Sequence, residues 1–467
     1  MSLSDARRAV DAALAAAAAA PQDAGVWARL GEAWSAAGEG GAAVDALLRA
    51  AQLEPDRPRL RARLGAAQLR ARQAPAALRT LRAALLDDPR DFASAANLGE
   101  CLRALGELSA AERALRGALA WGPPAPIADE LRWNLALCLR MAGQEDEGLR
   151  LYEVRRRLPG FSLRLGRGPA WAGGPLRAPL AVIAEQGLGD TLQHVGLLAA
   201  LRARAGAALP LLLVAQPPLV PLLDGLRAAD PGLRIAALPG TPDEIDELIA
   251  DQLGAEALQV PLMSLPLLLG LAAPGARAAA AARLSPDPAR SARWSARLAA
   301  GRRPGARLVG LCWQGNPAYP DDASRSVPLH HLVPLARDPR VQLVVLQQKH
   351  GREQLGRWPA GLPLWDLAPE LDQDAPFVDT AAVLPLLDAV VTSDTSTLHL
   401  AAAVGARTHA LLAAVPDWRF GLAGDRLPGA PRLTLHRQRR PGDWTGPVQA
   451  VAAALAAEAD AAVAGGG

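Results

Sequence analysis

Lysine is all but missing. Lys349 is the single one in 467 residues, and arginine supplies the rest of the 50 basic side chains. With 43 glycines and 40 prolines beside abundant alanine, this reads as a bias of the coding sequence and not as a binding surface. Acid and base nearly cancel, since 47 acidic residues leave a formal net charge of +3. No basic block is long enough to track a phosphate backbone, which argues against nucleic-acid binding. Cysteine is scarce too: Cys101, Cys138 and Cys312 are far apart and odd in number. They offer neither a disulfide framework nor a metal-ligand spacing, and they fit a reducing, cytoplasmic compartment. Long apolar runs are absent, with no window near the ~18 residues that a membrane helix needs. The greasiest stretch, Leu262–Leu271, is short and broken by Pro266. Arg7–Arg8 followed by the alanine run 12–20 imitates a secretory leader. However, Asp5 and Asp11 bracket the arginines, and alanine is a helix former more than an apolar group.

What is present is a period. Pro21, Pro55, Pro89 and Pro123 follow one another at 34-residue steps. The pairs Leu30–Gly31, Leu64–Gly65 and Leu98–Gly99 keep the same step. So do the columns Ala43, Ala77, Ala111 and Ala50, Ala84, Ala118. Thirty-four is the period of the tetratricopeptide (TPR) repeat, a pair of antiparallel helices. Small residues at fixed points let the two helices approach, and each proline stops the second helix. Residues 24–57, 58–91 and 92–125 read as complete units, 1–23 as a lone second helix acting as a cap, and 129–160 as a degenerate fourth unit. Gly148 stands in an alanine column of that last unit. Such arrays present a concave groove for extended peptides, or serve only as docking scaffolds; the repeat itself names no ligand.

Beyond Gly160 the pattern changes. Gly166–Gly174 is glycine-rich and reads as a linker. Short apolar runs then alternate with helical stretches. The strand candidates are 180–184, 210–215, 233–238 and 258–260, then 308–313, 341–347, 364–366, 389–393 and 408–412. Continuously apolar strands alternating with helices predict parallel, doubly wound sheets. The Ala/Arg/Pro stretch Ala273–Gly305 divides them into two lobes. Ligands of such sheets bind at the carboxyl ends of the strands.

Two constellations sit at such ends. Gly187-Leu188-Gly189-Asp190-Thr191 follows a strand and opens a helix, and its glycines permit close backbone approach to a ligand. Asp190 is a carboxylate able to deprotonate an attacking hydroxyl, and equally a good helix cap; the two roles are compatible. His194, one turn on, could reach an acceptor but reads as structural. Ser393-Asp394-Thr395-Ser396-Thr397-Leu398-His399 runs from a strand into a hydroxyl-rich helix start, a cradle for a diphosphate. Taken alone, Asp394 would be an N-cap and His399 a buried, satisfied histidine. Trp313-Gln314-Gly315-Asn316-Pro317 ends another strand, and Arg325 in the following loop is a candidate cation for a diphosphate. Gln347 and Lys349 follow a further strand and are placed to frame a nucleotide. Trp418 and Trp444 read as packing anchors. No nucleophile triad, P-loop or metal site is evident.

The segments Ala184–Leu197, Val309–Pro317, Arg325–Ser326, Thr392–Ala403, Pro416–Arg419 and Arg440–Trp444 together resemble glycosyltransferase family nine. That family includes the ADP-heptose–lipopolysaccharide heptosyltransferases, and the resemblance is to TPR-bearing bacterial members over roughly residues 178–460. It implies two Rossmann-like lobes of the GT-B kind. It also implies inverting transfer from a nucleotide-sugar, without a metal or a resident cofactor. Asp190 would then be the catalytic base, with Gly187, Gly189, Thr191 and His194 in the acceptor loop. Asp394, Thr395, Ser396, His399, Arg325, Trp313, Asn316 and Gln347 would lie around the donor. The heptosyltransferases carry a lysine in the loop where Arg325 stands, a departure here.

The expected architecture is an all-α TPR solenoid (1–160), a linker (161–178) and a first lobe on the acceptor side (179–285). An interlobe linker (286–305) and a nucleotide-sugar lobe with a closing C-terminal helix (306–467) complete it. The expected activity is sugar transfer to a protein or glycan acceptor recruited by the array, with peripheral membrane association compatible and no spanning segment. The alternative is an inactive TPR adaptor with a degenerate transferase half.

Overall fold

The computed structural model describes residues 3–57, 59–159, 161, 165–271 and 284–465. Residues 273–283 of the expected interlobe stretch, and Gly160, lie outside them. The chain divides into two compact units, Met1–Pro159 with Asp417–Gly421, and Gly160–Pro416 with Leu422–Gly467.

The first unit is helical: α1 (Leu3–Ala19), α2 (Ala24–Ala36), α3 (Gly40–Leu53), α4 (Leu60–Arg70), α5 (Ala74–Asp87), α6 (Phe92–Ala104), α7 (Leu108–Ala120), α8 (Ala125–Met141) and α9 (Glu145–Tyr152). Helices α2/α3, α4/α5, α6/α7 and α8/α9 form successive hairpins, each helix packed on the next. The glycine column has a steric cause. A Cβ on Gly31 would lie 2.5 Å from Leu47, one on Gly65 2.7 Å from Leu81, and one on Gly99 2.4 Å from Leu115. Those three leucines are themselves 34 residues apart and buried, so each unit locks a leucine of its second helix onto a bare backbone of its first. The tight turn inside each hairpin needs a left-handed residue, supplied by Gly38 (φ 83°), Arg72 (φ 60°) and Gly106 (φ 77°).

The fourth hairpin departs from the repeat for a visible reason. A Cβ on Gly148 would lie 2.6 Å from Cγ of the buried Arg140. The Arg140 guanidinium stacks 3.6 Å from the Trp418 ring, 4.6 Å from that of Tyr152, and pairs with Glu145 at 3.2 Å. Trp418 packs on Tyr152 with ring centroids 5.6 Å apart. Gly148 makes room for the arginine that receives this late segment of the chain.

The second unit holds two sheets. β1 (Leu180–Ile183), β2 (Leu211–Ala215), β3 (Leu233–Ala237) and β4 (Leu258–Pro261) form a parallel sheet of order β3-β2-β1-β4. β5 (Arg307–Cys312), β6 (Val341–Val345), β7 (Leu364–Asp366), β8 (Ala389–Ser393), β9 (Thr408–Leu412), β10 (Arg426–Leu427) and β11 (Ala430–Arg437) form the second, in the order β10-β11-β9-β8-β5-β6-β7. Only the β10–β11 pair is antiparallel. Central strands β1, β2, β6, β8 and β9 are buried at every position, which is why they read as unbroken apolar runs.

Three differences from the sequence reading have physical causes. Strands β10 and β11 are not evident in the sequence, because β11 lies towards the edge and mixes buried positions with the exposed Pro431 and Arg432 and the partly buried His436 and Arg437. The expected linker 286–305 contains a helix, Pro288–Gly301, capped by Asp287 and anchored by the buried Trp294 and Leu298. Trp294 Nε1 donates to Asp379 at 2.8 Å. The glycine-rich 166–174 stretch is laid against the first sheet: Arg167 and Gly168 donate their N–H groups to Asp246, and Ala170 bridges to Gln259.

Candidate functional site

Each sheet of the second unit reverses its strand order once. In the first, β2 and β3 lie on one side of β1 and β4 on the other; in the second, β6 and β7 lie on one side of β5 and β8 on the other. Crevices open at such switch points, beyond the carboxyl ends of the two diverging strands. Glu185, just past β1, is buried and accepts from the Met263 N–H beyond β4 at 3.2 Å, closing the floor of the first switch point. Cys312 ends β5 and Thr392–Ser393 ends β8, and these residues line the second.

The two switch points meet through their helices. Helix Leu188–His194 follows β1, helix Ser396–Ala403 follows β8, and they pack directly on each other. Gly189 is the contact: a Cβ there would sit 2.9 Å from His399 Cδ2 and 3.6 Å from the Ser396 Cα. The sequence reading gave Gly189 to a ligand. The structure shows that its missing side chain admits the imidazole of His399 instead.

On the first side Gly187, not Asp190, is the N-cap; Asp190 is the third helical residue, and its half-buried carboxylate reaches back through Oδ2 to accept the Gly187 N–H at 2.9 Å. Gly187 is exposed. Thr191 is fully buried and its hydroxyl bonds Gln216 at 2.9 Å; it holds the loop to β2 and is withdrawn from the crevice. His194 is buried with Nδ1 2.9 Å from the Asp190 carbonyl, so Nδ1 is the nitrogen that donates.

On the second side, Asp394 is not the N-cap that its position promised. Thr395 occupies that place, with its Oγ1 3.3 Å from Thr392 Oγ1. Asp394 lies inward, and its Oδ1 is 4.0 Å from His399 Nε2, beyond hydrogen-bond reach. Burial pushes the Asp394 carboxyl up to about 6; the positive charge of Arg325 pulls against this and Asp322 adds to it. Burial pushes His399 down to about 4, with Arg325 adding in the same direction. At neutral pH this is an ionised acid beside a neutral imidazole. Ser396 opens the helix and is partly exposed. The hydroxyl of Ser393 is fully buried and has no hydrogen-bond partner among the described residues.

Arg325 lies near enough to influence both Asp394 and His399. Its own Nε donates to Asp322 at 3.2 Å and its guanidinium stacks 4.4 Å over Tyr319. Asp322 in turn accepts from Ser326, whose hydroxyl accepts the Gly315 N–H, so the 315–326 loop is braced from within. Three other residues expected around the donor are engaged within the protein. Trp313 is wholly buried in the core with Nε1 donating to the Gly351 carbonyl at 3.3 Å, so its ring lines no cleft. Gln347 is saturated: Oε1 accepts from the N–H groups of Trp313 and Gln314, and Nε2 donates to the Gln314 and His350 carbonyls. Asn316 is exposed and caps its own turn by accepting from Ala318 at 3.0 Å. Lys349 is exposed. Glu185, Asp322 and Ser393 went unremarked in the sequence. Asp322 carried a signal, an acid three residues before Arg325; a buried hydroxyl such as Ser393 carries none.

Residues 335–438 match the model of glycosyltransferase family 9 (heptosyltransferase). That window includes β6 to β11 with Gln347, Asp394, Thr395, Ser396 and His399, and leaves out Asp190 and Arg325. Protein FlbA of Caulobacter vibrioides is 31% identical over 175 residues, which are 37% of this chain and 28% of that protein. The chain therefore spans little more than a quarter of the curated relative it matches. Escherichia coli ADP-heptose LPS heptosyltransferase II is 16% identical with a TM-score of 0.45, covering 60% of this chain and 98% of that one. MamA (41-end) from Desulfovibrio magneticus RS-1 is 20% identical with a TM-score of 0.28, covering 32% of this chain and 82% of that one. The chain thus joins a helical array of 34-residue repeats to a segment, residues 335–438, that is similar to glycosyltransferase family 9 (heptosyltransferase).

Proposed function

We propose that the second unit is a GT-B-type, metal-independent, inverting glycosyltransferase, and that the helical array holds its protein or glycan acceptor. The observation that carries this reading is the packing of the Asp190 helix on the His399 helix at two facing switch points. In a single in-line displacement, the acceptor hydroxyl loses its proton to Asp190 as its oxygen bonds the anomeric carbon. In the same step the bond from the anomeric carbon to the nucleoside diphosphate breaks, and the diphosphate leaves towards the helix start at Ser396, where unpaired N–H groups and the Arg325 charge oppose its growing negative charge. Neutral His399 donates or accepts a hydrogen bond there without adding charge. A nucleotide-sugar substrate and three free, buried thiols agree with a cytoplasmic setting. Among the described residues no helix is long and apolar enough to cross a membrane.

Isothermal calorimetry against UDP-, GDP-, ADP- and dTDP-sugars tests the reading. One nucleotide should bind, unaffected by EDTA. Asp190→Ala should abolish transfer while donor affinity changes less than threefold, and His399→Ala should weaken the nucleotide itself. Absence of any nucleotide binding at millimolar concentration would favour the second reading, an adaptor without activity. The capping bond of Asp190 and the internal engagement of Thr191 and Gln347 speak for that alternative.

A further inference from the structure

The helical unit carries two cavities that are copies of each other. Each is framed by the end of one hairpin's second helix, the first helix of the next hairpin and that hairpin's second helix. The cavity between α3, α4 and α5, of about 340 Å³, is lined by Pro55, Leu64 and Arg79 among others. The cavity between α5, α6 and α7, of about 280 Å³, presents Pro89, Leu98 and Arg113 at positions 34 residues on. No acidic side chain lines either one. Arg79 and Arg113 are exposed, and neither makes an ion pair or hydrogen bond within the described protein. Their column reads Asp45, Arg79, Arg113, Glu147, so the basic window is two repeats wide with an acid at each end.

A second observation concerns the same second helices. Five large apolar side chains are exposed among the described residues, and four of them sit on α1, α3, α5 and the end of α7: Leu14, Leu48, Leu86 and Trp121. Leu86 is 84% and Trp121 50% accessible, and Trp121 lines the second cavity. Isolated exposed leucines are ordinary. One on each of four successive second helices, with unpaired arginines on α5 and α7, is not. Half-exposed tryptophan and arginine are the residue types that dominate binding energy at interfaces.

We infer that the second-helix face of the array is a docking surface for an acidic, leucine- or aromatic-bearing segment of another protein. Apolar side chains of that segment enter the two cavities in succession, and carboxylates meet Arg79 and Arg113. A basic segment is repelled by the arginines, and a nucleic acid would need a longer basic track than two residues. The surface does not rest on sugar transfer, because nucleotide binding by the second unit and peptide binding by the array are read separately.

The probe is a fluorescein-labelled 15-residue peptide of Glu, Leu and Ser, with versions bearing Lys for Glu and Ser for Leu. Fluorescence anisotropy with the full chain should show binding below about 1 mM for the acidic apolar peptide alone. Arg79→Glu/Arg113→Glu should weaken it at least fivefold and gain affinity for the lysine version. Trp121→Ala should weaken it without altering the helical circular dichroism. Equal binding by the wild-type and charge-reversed chains would overturn the proposal. So would preference for the lysine or leucine-free peptide. Sedimentation showing a dimer that Trp121→Ala dissolves would overturn it too, since the occupant would then be a second copy.

Discussion

At the scale of single residues, a few backbone positions decide whether neighbouring parts fit. Gly189 is one. Its replacement by alanine drives a methyl to 2.9 Å from the His399 ring, whereas a Cβ at Gly187 meets only the Asp190 carboxylate at 3.1 Å. We expect Gly189→Ala to cost about 1–3 kcal/mol in urea unfolding and Gly187→Ala less than half of that. Equal costs would show that the helix contact is slack. Arg72 is another, the one non-glycine in its left-handed column. Arg72→Gly should stabilise the array by up to about 1 kcal/mol, read as a raised thermal midpoint.

Titration belongs to the same scale. His399 and His436 are both pushed down to about 4 by burial. A depressed folded value means stability is present above the ordinary 6.5 and is lost as pH falls towards 4. Asp394, raised to about 6, acts oppositely: its contribution is present below the ordinary 3.8 and is lost as pH rises through 6. Two groups therefore oppose one between pH 6.5 and 4. The thermal midpoint should fall on acidification from pH 7 to 5, and His436→Asn should flatten that slope. A midpoint that rises instead contradicts the assignment. Little of this was legible from residue types. Asp394 looks like a cap in the sequence because capping acids precede hydroxyl-rich helices, but one residue of register hands the cap to Thr395 and turns the acid inward.

At the scale of elements, the repeats were readable because each column answers to one contact. Gly65 and Leu81 are two halves of such a contact. Leu81→Ala should cost about 2–5 kcal/mol, and Gly65→Ala alone should also destabilise by collision with Leu81. Combined, they should cost clearly less than the sum, because the alanine at 65 fills part of the space that Leu81 leaves. Additive losses in a urea double-mutant cycle would refute the steric account. The parallel strands were legible for a similar reason, since burial on both faces leaves no polar positions to confuse the pattern. The β10–β11 pair and the helix at Pro288–Gly301 escaped notice. One is short and half-exposed, and the other hides in an Ala/Arg composition whose only apolar anchors are Trp294 and Leu298.

At the scale of the molecule, two units with separate cores should unfold in two steps, and Trp418 belongs with the first. Trp418→Ala removes the ring against which Arg140 and Tyr152 pack, and should lower the stability of the helical unit by about 3 kcal/mol. Hydrogen exchange should quicken in α8 and α9 and stay unchanged in β1 and β5. Uniform quickening would mean that the units are not independent. Nothing in the sequence announced that residues 417–421 return to the helical unit; a tryptophan in a loop looks the same whichever core receives it.

That return has a consequence for how the molecule is made. Helices α8 and α9 leave the ribosome long before Trp418, and at 5–20 residues per second the delay is on the order of tens of seconds. Throughout it, the array has Arg140 and Tyr152 uncovered at its last hairpin. The final hairpin is sealed only after most of the second sheet has been synthesised. A nascent chain halted before residue 416 should therefore display a nearly complete array that a protease still cuts between α8 and α9, and release of the remaining residues should close that cut.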